Sequence, residues 1–223
     1  MRLFEPNPVY CLIRGFFRIL FRTLGSWRII GHEHIPTEGP VIIISNHISY
    51  LDPPLMGSAV RRPVAYMAKK ELFTGNRLLA WVCTKLESYP VRQNSADREA
   101  LRLSFDRLAH NWMIGIFPEG HRAEDGELHE FEQGLGMIAL RSRAPVIPCG
   151  FAGTWEMLRP HSKMLRRSPI AVHFGPAVDL SDLYDAECRK QANAEAVRRC
   201  HEAVAGLVAV ARSTRESRLG KRA

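Results

Sequence analysis

A chain of 223 residues can bury one sizeable hydrophobic core and is too short for two large domains with separate sites. Hydrophobic residues make up 46% and charged residues 24%, which excludes a disordered or collagen-like chain. The formal net charge of +8 is confined to the two ends, because residues 31–210 hold 21 basic and 21 acidic side chains. This distribution argues against nucleic-acid binding, for which we also find no reading motif, and favours contact with an anionic membrane surface.

The amino-terminal segment 1–28 predicts an amphipathic helix that associates with a membrane. Asn7 before Pro8 is a typical helix start and Gly25 a typical stop. Arginines recur every four residues along an otherwise apolar helix, at Arg14, Arg18 and Arg22. These arginines argue against a membrane-spanning helix, which needs ~20 mostly apolar residues. A helix that lies in the membrane interface can keep a basic stripe among the headgroups. The alternative is a helix packed on the protein's own core with one solvated face.

The cysteine usage and the amino terminus bear on the compartment. The five cysteines are an odd number with no Cys-x-x-Cys pair, so we expect neither a disulfide framework nor a cysteine zinc site. The amino terminus lacks an uninterrupted apolar segment followed by a cleavage site, so we expect no cleaved signal peptide. We therefore predict a peripheral or monotopic protein on the cytoplasmic face of the membrane.

Strand-like apolar runs alternate with helical patterns through the middle of the chain. The runs lie at Val41–Ser45, Met113–Phe117 and Pro145–Phe151, and a fourth ends at residues 173–176. Helical patterns cover residues 97–110 and 134–142, and residues 185–223 predict a final helix and a basic tail. This alternation predicts a single-domain α/β fold with a mostly parallel, twisted sheet flanked by helices.

Each of three predicted strands leads directly into a polar cluster. The clusters are Asn46-His47, the segment Pro118–Arg122, and Cys149-Gly150. Ligands of open α/β sheets bind beyond the carboxyl ends of the strands. We therefore expect the three clusters to contribute to one site.

His47 and Asp52 lie in the stretch "SNHISYLDPP", at a spacing that a regular helix would not bring together. Asp52 precedes Pro53, which disfavours helical geometry at Asp52 and predicts a turn that leads into a helix. A turn can return the carboxylate to the imidazole, fix its tautomer and leave the other ring nitrogen as a base. The chain has no Gly-x-Ser-x-Gly nucleophile pattern, so the hydroxyl would belong to the substrate. The alternative is a helix-capping aspartate beside a polar histidine at a strand end.

Two motifs resemble those of the glycerolipid acyltransferases. "NHISYLD" is similar to the family's Asn-His-x-x-x-x-Asp motif, and "FPEGHR" is similar to its Phe-Pro-Glu-Gly-x-Arg motif. The stretches "GPVIIISNH", "AKKEL", "SYPVRQ" and "VIPCGFAGT" follow the family's order and approximate spacing. The resemblance covers about residues 30–180 and is specific because two motifs occur together some 70 residues apart.

The resemblance implies an acyltransferase catalytic domain over residues 29–184. It implies that His47 is the general base and Asp52 its orienting partner. The residues that it implies for substrate binding are Glu119, Gly120, Arg122, Arg92 and Asn46. Among these, Arg122 has the side chain suited to holding a phosphate with two hydrogen bonds.

The activity implied is transfer of a fatty acyl group to a lysophospholipid hydroxyl, foremost that of 1-acyl-glycerol-3-phosphate, to give phosphatidate. The donor would be acyl-CoA or acyl-carrier protein, a substrate, with no cofactor and no metal. His32-Glu33-His34 lacks a third metal ligand at suitable spacing. Three alternatives stay open: another lysolipid acceptor such as a lyso-aminolipid, hydrolysis of the thioester, and a non-catalytic protein that binds a membrane surface.

The sequence departs from the family pattern at several positions around these motifs. Family members commonly carry threonine at the position of His121, serine at that of Ala123 and, in many relatives, arginine at that of Gln93. Glu132-Gln133 replaces a more usual lysine-containing pair. We expect either that Arg92 turns inward to serve the phosphate or that the acceptor headgroup differs.

Overall fold

The computed structural model describes residues 7–91 and 98–220 and contains the predicted alternation of strands and helices. The strands are β1 (Arg28–Ile30), β2 (Val41–Ser45), β3 (Val64–Lys69), β4 (Tyr89–Val91), β5 (Met113–Ile116), β6 (Val146–Ala152) and β7 (Ala171–Phe174). The helices are α1 (Pro8–Thr23), α2 (Asp52–Ala59), α3 (Glu71–Thr74), α4 (Arg77–Lys85), α5 (Arg98–Ala109), α6 (Gly134–Ser142), α7 (Thr154–Met157) and α8 (Arg189–Leu219).

The seven strands form one sheet in the order β1-β7-β6-β2-β5-β3-β4. Every pairing is parallel except that of β6 with β7. The predicted α/β fold with a mostly parallel sheet is confirmed.

Strand β2 lies in the middle of the sheet, between β5 and β6, and all of its residues are buried. Successive side chains of a strand point to opposite faces. Ile42 and Ile44 therefore join the core beneath α5, α6 and α8, while Val41 and Ile43 join the core beneath α1 and α2. A continuous run of β-branched residues is what a strand covered on both faces requires.

Helix α1 begins as the sequence predicts, because the Asn7 side chain accepts a hydrogen bond from the Tyr10 backbone N–H at 2.9 Å. Of the three arginines expected to form one stripe among the headgroups, two bond to the protein and Arg22 is exposed. Arg14 and Arg18 donate to the backbone carbonyls of Ser58, Val60 and Arg61, at and just after the carboxyl-terminal end of α2. The unpaired carbonyls and negative dipole end of that helix attract guanidinium groups.

A second correction concerns Cys149-Gly150, which we expected to follow a strand as a polar cluster. Both residues lie inside β6 and are buried, because this strand continues to pair with β7 as far as Ala152. A Cβ at Gly150 would lie 2.4 Å from the backbone of Leu207, so glycine permits the close approach of α8.

Within the described parts of the chain, no helix combines the length and the apolar character that crossing a bilayer demands. Three large apolar side chains on the outward face of α1 are between 60% and 74% exposed: Leu12, Phe16 and Ile19. This face lies opposite the buried residues Tyr10 and Phe21. The division of the chain into segments 1–28, 29–184 and 185–223 stays a prediction.

Candidate active site

The parallel strands β2 and β5 bring the two motifs to the same edge of the sheet. Ile44 at the end of β2 pairs with Ile116 at the end of β5. The chain then turns at Asn46-His47 after one strand and at residues 117–122 after the other. The two motifs, some 70 residues apart along the chain, are therefore in direct contact.

His47 and Asp52 meet, as the turn geometry predicts. His47 Nδ1 lies 3.0 Å from Asp52 Oδ2, and this oxygen also accepts hydrogen bonds from the backbone N–H groups of Ile48 and Ser49. Asp52 is fully buried and, contrary to the expectation that Pro53 disfavours helical geometry there, is the first residue of α2. The carboxylate therefore closes the turn and orients the imidazole with the same oxygen.

The imidazole of His47 has one face covered and one edge accessible. The Phe117 ring stacks on it with 4.3 Å between centroids, and the His47 side chain is 19% exposed. With Nδ1 bonded to the carboxylate, the described residues supply no hydrogen-bond partner for Nε2. This nitrogen can accept a proton from a ligand.

Glu119 fixes the backbone on which His47 is carried. Its Oε1 accepts from the His47 N–H at 2.7 Å and its Oε2 from the His129 N–H at 3.1 Å. Burial raises the pKa of Glu119 to about 7, although the two backbone hydrogen bonds lower it. The Ala123 N–H donates to the His47 carbonyl at 2.8 Å, so both backbone polar groups of His47 are held by the second motif.

Asn46 bonds to the neighbouring strand. Its side chain donates to the Phe151 carbonyl at 3.1 Å and accepts from the Phe151 N–H at 2.8 Å. The amide thus continues the pairing of β2 with β6 after the β2 backbone has turned away. Because both polar atoms of the Asn46 amide are bonded in this way, Asn46 holds the start of the turn in position.

Gly120 and Arg122 shape the second turn. Gly120 has a φ of +71°, in the left-handed region that favours glycine, and its N–H bonds to the Phe117 carbonyl. The Arg122 guanidinium lies over the exposed ring of Tyr50, with 3.8 Å from Cζ to the ring centroid, and 3.6 Å from Glu124. The sequence offers no signal for the Tyr50 contact, because Tyr50 occupies one of the unspecified positions of the Asn-His-x-x-x-x-Asp motif.

The departures at His121, Ala123 and Glu132-Gln133 lie within the described residues, whereas Arg92 and Gln93 do not. His121 is exposed, and its Nε2 lies 3.4 Å from Nδ1 of His129, whose pKa is raised by its hydrogen bond to Asp125. Ala123 is buried. Arg92 and Gln93 lie outside the described residues, so the placement predicted for Arg92 stays a prediction.

An α/β sheet with a buried aspartate that orients a partly exposed histidine at the carboxyl edge of its central strand defines a class of site able to deprotonate a bound hydroxyl. The chain belongs to the Acyltransferase family, whose model matches residues 26–152. The predicted enzyme class, acyltransferase, is confirmed by this match.

Relatives and a solved structure agree with this assignment. The acl-1 protein of Caenorhabditis elegans is 30% identical over 200 residues, which span 83% of this chain and 74% of that protein. The 1-acyl-sn-glycerol-3-phosphate acyltransferase of Borreliella burgdorferi is 25% identical over 184 residues, or 80% of this chain and 72% of that one. The crystal structure of the 1-acyl-sn-glycerophosphate acyltransferase PlsC from Thermotoga maritima superposes with a TM-score of 0.72 at 25% identity, covering 89% of this chain and 79% of that chain.

Proposed function

We propose that the protein transfers a fatty acyl group from the thioester of acyl-CoA or acyl-carrier protein to the hydroxyl of 1-acyl-glycerol-3-phosphate, giving phosphatidate. The observation that carries this is the 3.0 Å contact of His47 Nδ1 with buried Asp52, which leaves Nε2 open toward a ligand. The names of the relatives support this choice of acceptor.

The site supports a single displacement with His47 as general base. Nδ1–H donates to Asp52, so Nε2 carries the lone pair and takes the proton of the acceptor hydroxyl. The acceptor oxygen attacks the thioester carbon, the carbon–sulfur bond breaks, and the proton on Nε2 passes to the departing thiolate. The Asp52 carboxylate stabilises the imidazolium between these steps. The acyl thioester is a substrate, and the proposal includes no cofactor.

Arg122 is the group that we assign to the acceptor phosphate. Its backbone is next to Ala123, which bonds to His47, and a guanidinium can give a phosphate two parallel hydrogen bonds. Glu119 and Asn46 act by positioning the turn, since their polar atoms are already bonded to backbone groups. Gly120 supplies the backbone geometry that places Arg122.

We also propose that the outward apolar face of α1 lies in the interface of the cytoplasmic leaflet. The exposed Leu12, Phe16 and Ile19 would enter the lipid, and the basic ends of the chain would be drawn to anionic headgroups. The acceptor would then reach the site from the membrane.

The test incubates the purified protein with labelled acyl-CoA or acyl-carrier protein and a panel of lysolipids. We expect transfer to lysophosphatidate, a loss of 10²- to 10⁴-fold in His47→Ala, and a comparable loss in Asp52→Asn. In Asp52→Asn the amide oxygen can keep the three contacts of Oδ2, so a folded but inactive variant would isolate the role of the charge.

Each other outcome identifies an alternative. Full activity of His47→Ala would exclude the mechanism, and acyl transfer to water alone would establish a hydrolase. Preference for an acceptor without a free phosphate monoester would replace the headgroup assignment, and vesicle binding without transfer would indicate a non-catalytic protein.

A further inference from the structure

The loop between α7 and β7 presents an apolar tip surrounded by cations. We call residues 159–167 the basic loop. Met164 and Leu165 are 64% and 40% exposed, and the neighbouring Lys163, Arg166 and Arg167 are exposed as well. Apolar side chains that protrude among cations fit a surface with an apolar interior and anionic groups above it, which is the composition of an anionic bilayer.

Hydrogen bonds hold the tip of the loop in place. The Met164 N–H donates to Ser162 Oγ at 3.1 Å, and the Ser162 N–H donates to the Arg159 carbonyl at 3.1 Å. The Arg166 N–H donates to the Met157 carbonyl at 2.8 Å, which closes the loop at its base. The outward direction of Met164 is therefore built into the turn.

The two ends of the loop connect it to α1 and to the turn that carries His47 and Asp52, which we call the dyad. Ser49, whose backbone N–H donates to Asp52, donates from Oγ to the carbonyl of Leu158, just before the loop, at 3.3 Å. At the other end, the Ser168 N–H donates to the Leu24 carbonyl, just after α1, at 3.2 Å. The basic loop thus lies between the dyad turn and the end of α1.

We propose that the basic loop is a second membrane contact, which seats Met164 and Leu165 below the headgroups of an anionic bilayer and places Lys163, Arg166 and Arg167 on their negative charges. A helix lying in the interface can rotate about its own axis, and a second contact away from that axis prevents the rotation. The turn that carries the dyad, which is hydrogen-bonded through Ser49 to Leu158 just before the loop, then faces the lipid. This inference rests on the proposed function, because it assigns the loop the delivery of a lipid acceptor to His47.

The test measures sedimentation of the full chain with vesicles of phosphatidylcholine, alone or with phosphatidylglycerol. One variant removes the apolar tip, Met164→Ser/Leu165→Ser. A second removes the charges, Lys163→Gln/Arg166→Gln/Arg167→Gln. Matched controls change exposed side chains on α5, α6 and α8: Met137→Ser/Val210→Ser and Arg102→Gln/Arg141→Gln/Lys190→Gln.

We expect the charge variant to lose at least tenfold in affinity for the anionic vesicles and little for phosphatidylcholine alone, since each basic residue near such a surface contributes about fivefold. The apolar variant should bind both kinds of vesicle more weakly, and the controls should bind like the parent chain. Equal losses in the controls, or parent-like binding of both loop variants, would refute the inference. The inference would also be refuted if the loop variants bound vesicles like the parent chain but had a raised KM for acyl-carrier protein, because the loop would then bind an acidic protein.

A second readout separates this inference from the proposed function. With short-chain acceptor and donor dispersed as monomers, both loop variants should retain the activity of the parent chain, and with acceptor embedded in anionic vesicles they should lose about tenfold. An equal loss in both assays would mean that the loop serves the chemistry and would overturn the membrane role. If the parent chain transfers no acyl group in either assay, the proposed function fails while vesicle binding still decides the role of the loop.

Discussion

Tyr50 holds Arg122 in the position that we assign to phosphate binding. The exposed phenol ring supports the guanidinium from one side, with 3.8 Å from Cζ to the ring centroid. Without the ring, the guanidinium would sample more positions and swing toward Glu124, 3.6 Å away. We predict that Tyr50→Ala raises the KM for a phosphate-bearing acceptor by about fivefold and leaves the KM of the donor unchanged.

The conservative variant Tyr50→Phe keeps the ring and should restore the parent KM. Steady-state kinetics with each substrate varied in turn would check this. A general structural defect would lower kcat for Tyr50→Ala with both KM values unaltered, which would contradict a role in positioning Arg122.

Glu119 links the site to the pH dependence of stability. Its pKa is raised by burial from the ordinary 4.5 to about 7, so the folded protein binds more protons than the unfolded chain between these values. The free energy of unfolding contributed by this group therefore falls as the pH rises through that window. The fall amounts to about 3 kcal/mol when complete.

Urea denaturation at several pH values from 4.5 to 8 would measure this dependence. Glu119→Gln cannot ionise, so the difference in unfolding free energy between the parent chain and this variant should change across the window. The exposed Glu130→Gln is the control and should run parallel to the parent. Parallel curves for Glu119→Gln would show that the Glu119 carboxyl titrates outside this range.

The contact between His47 and Asp52 can be predicted from the sequence, whereas the hydrogen bonds of Asn46 and Glu119 that hold the turn cannot. Asp52 before Pro53 predicts a turn, and a turn of this length can return a carboxylate to His47. The resemblance implies that Asn46 and Glu119 bind substrate, yet the partners of their side chains are backbone groups of Phe151, His47 and His129. Backbone partners distant in sequence leave no pattern in the side chains, so only the folded chain can show them.

At the level of elements, α1 is attached to α2 through two arginines. Arg14 and Arg18 donate to carbonyls in the last turn of that helix and just after it, where carbonyls lack partners within the helix. We predict that Arg14→Gln/Arg18→Gln lowers the free energy of unfolding by about 1 to 3 kcal/mol, because charge-assisted hydrogen bonds at a helix end are lost.

The control for this prediction is Arg22→Gln, at an exposed position on the same helix. Its change should stay within about 0.5 kcal/mol, as is usual for surface substitutions. Denaturant titration would compare the two. Equal effects would mean that the arginines act through the net charge of the helix and not through the contacts with α2.

The same helix illustrates what periodicity can and cannot predict. The four-residue spacing of arginines correctly indicates one shared side of α1. Which side faces the protein depends on what lies beneath it, and here the acceptor groups are the carbonyls that end α2. The outward side is consequently apolar, at Leu12, Phe16 and Ile19.

For the whole molecule, the amino-acid sequence by itself determined the alternation of strands and helices, the parallel sheet and the membership of two motifs in one site. These follow from local periodicity and from the rule that parallel strands end at a common edge. The tertiary structure alone decided that β2 lies between β5 and β6, that Glu119 and Asn46 bond to backbone, and that the basic loop lies beside the dyad turn. The physical reason is distance along the chain. A strand or a turn is encoded by adjacent residues, whereas these contacts join groups that are far apart in the sequence and meet only when the complete core packs.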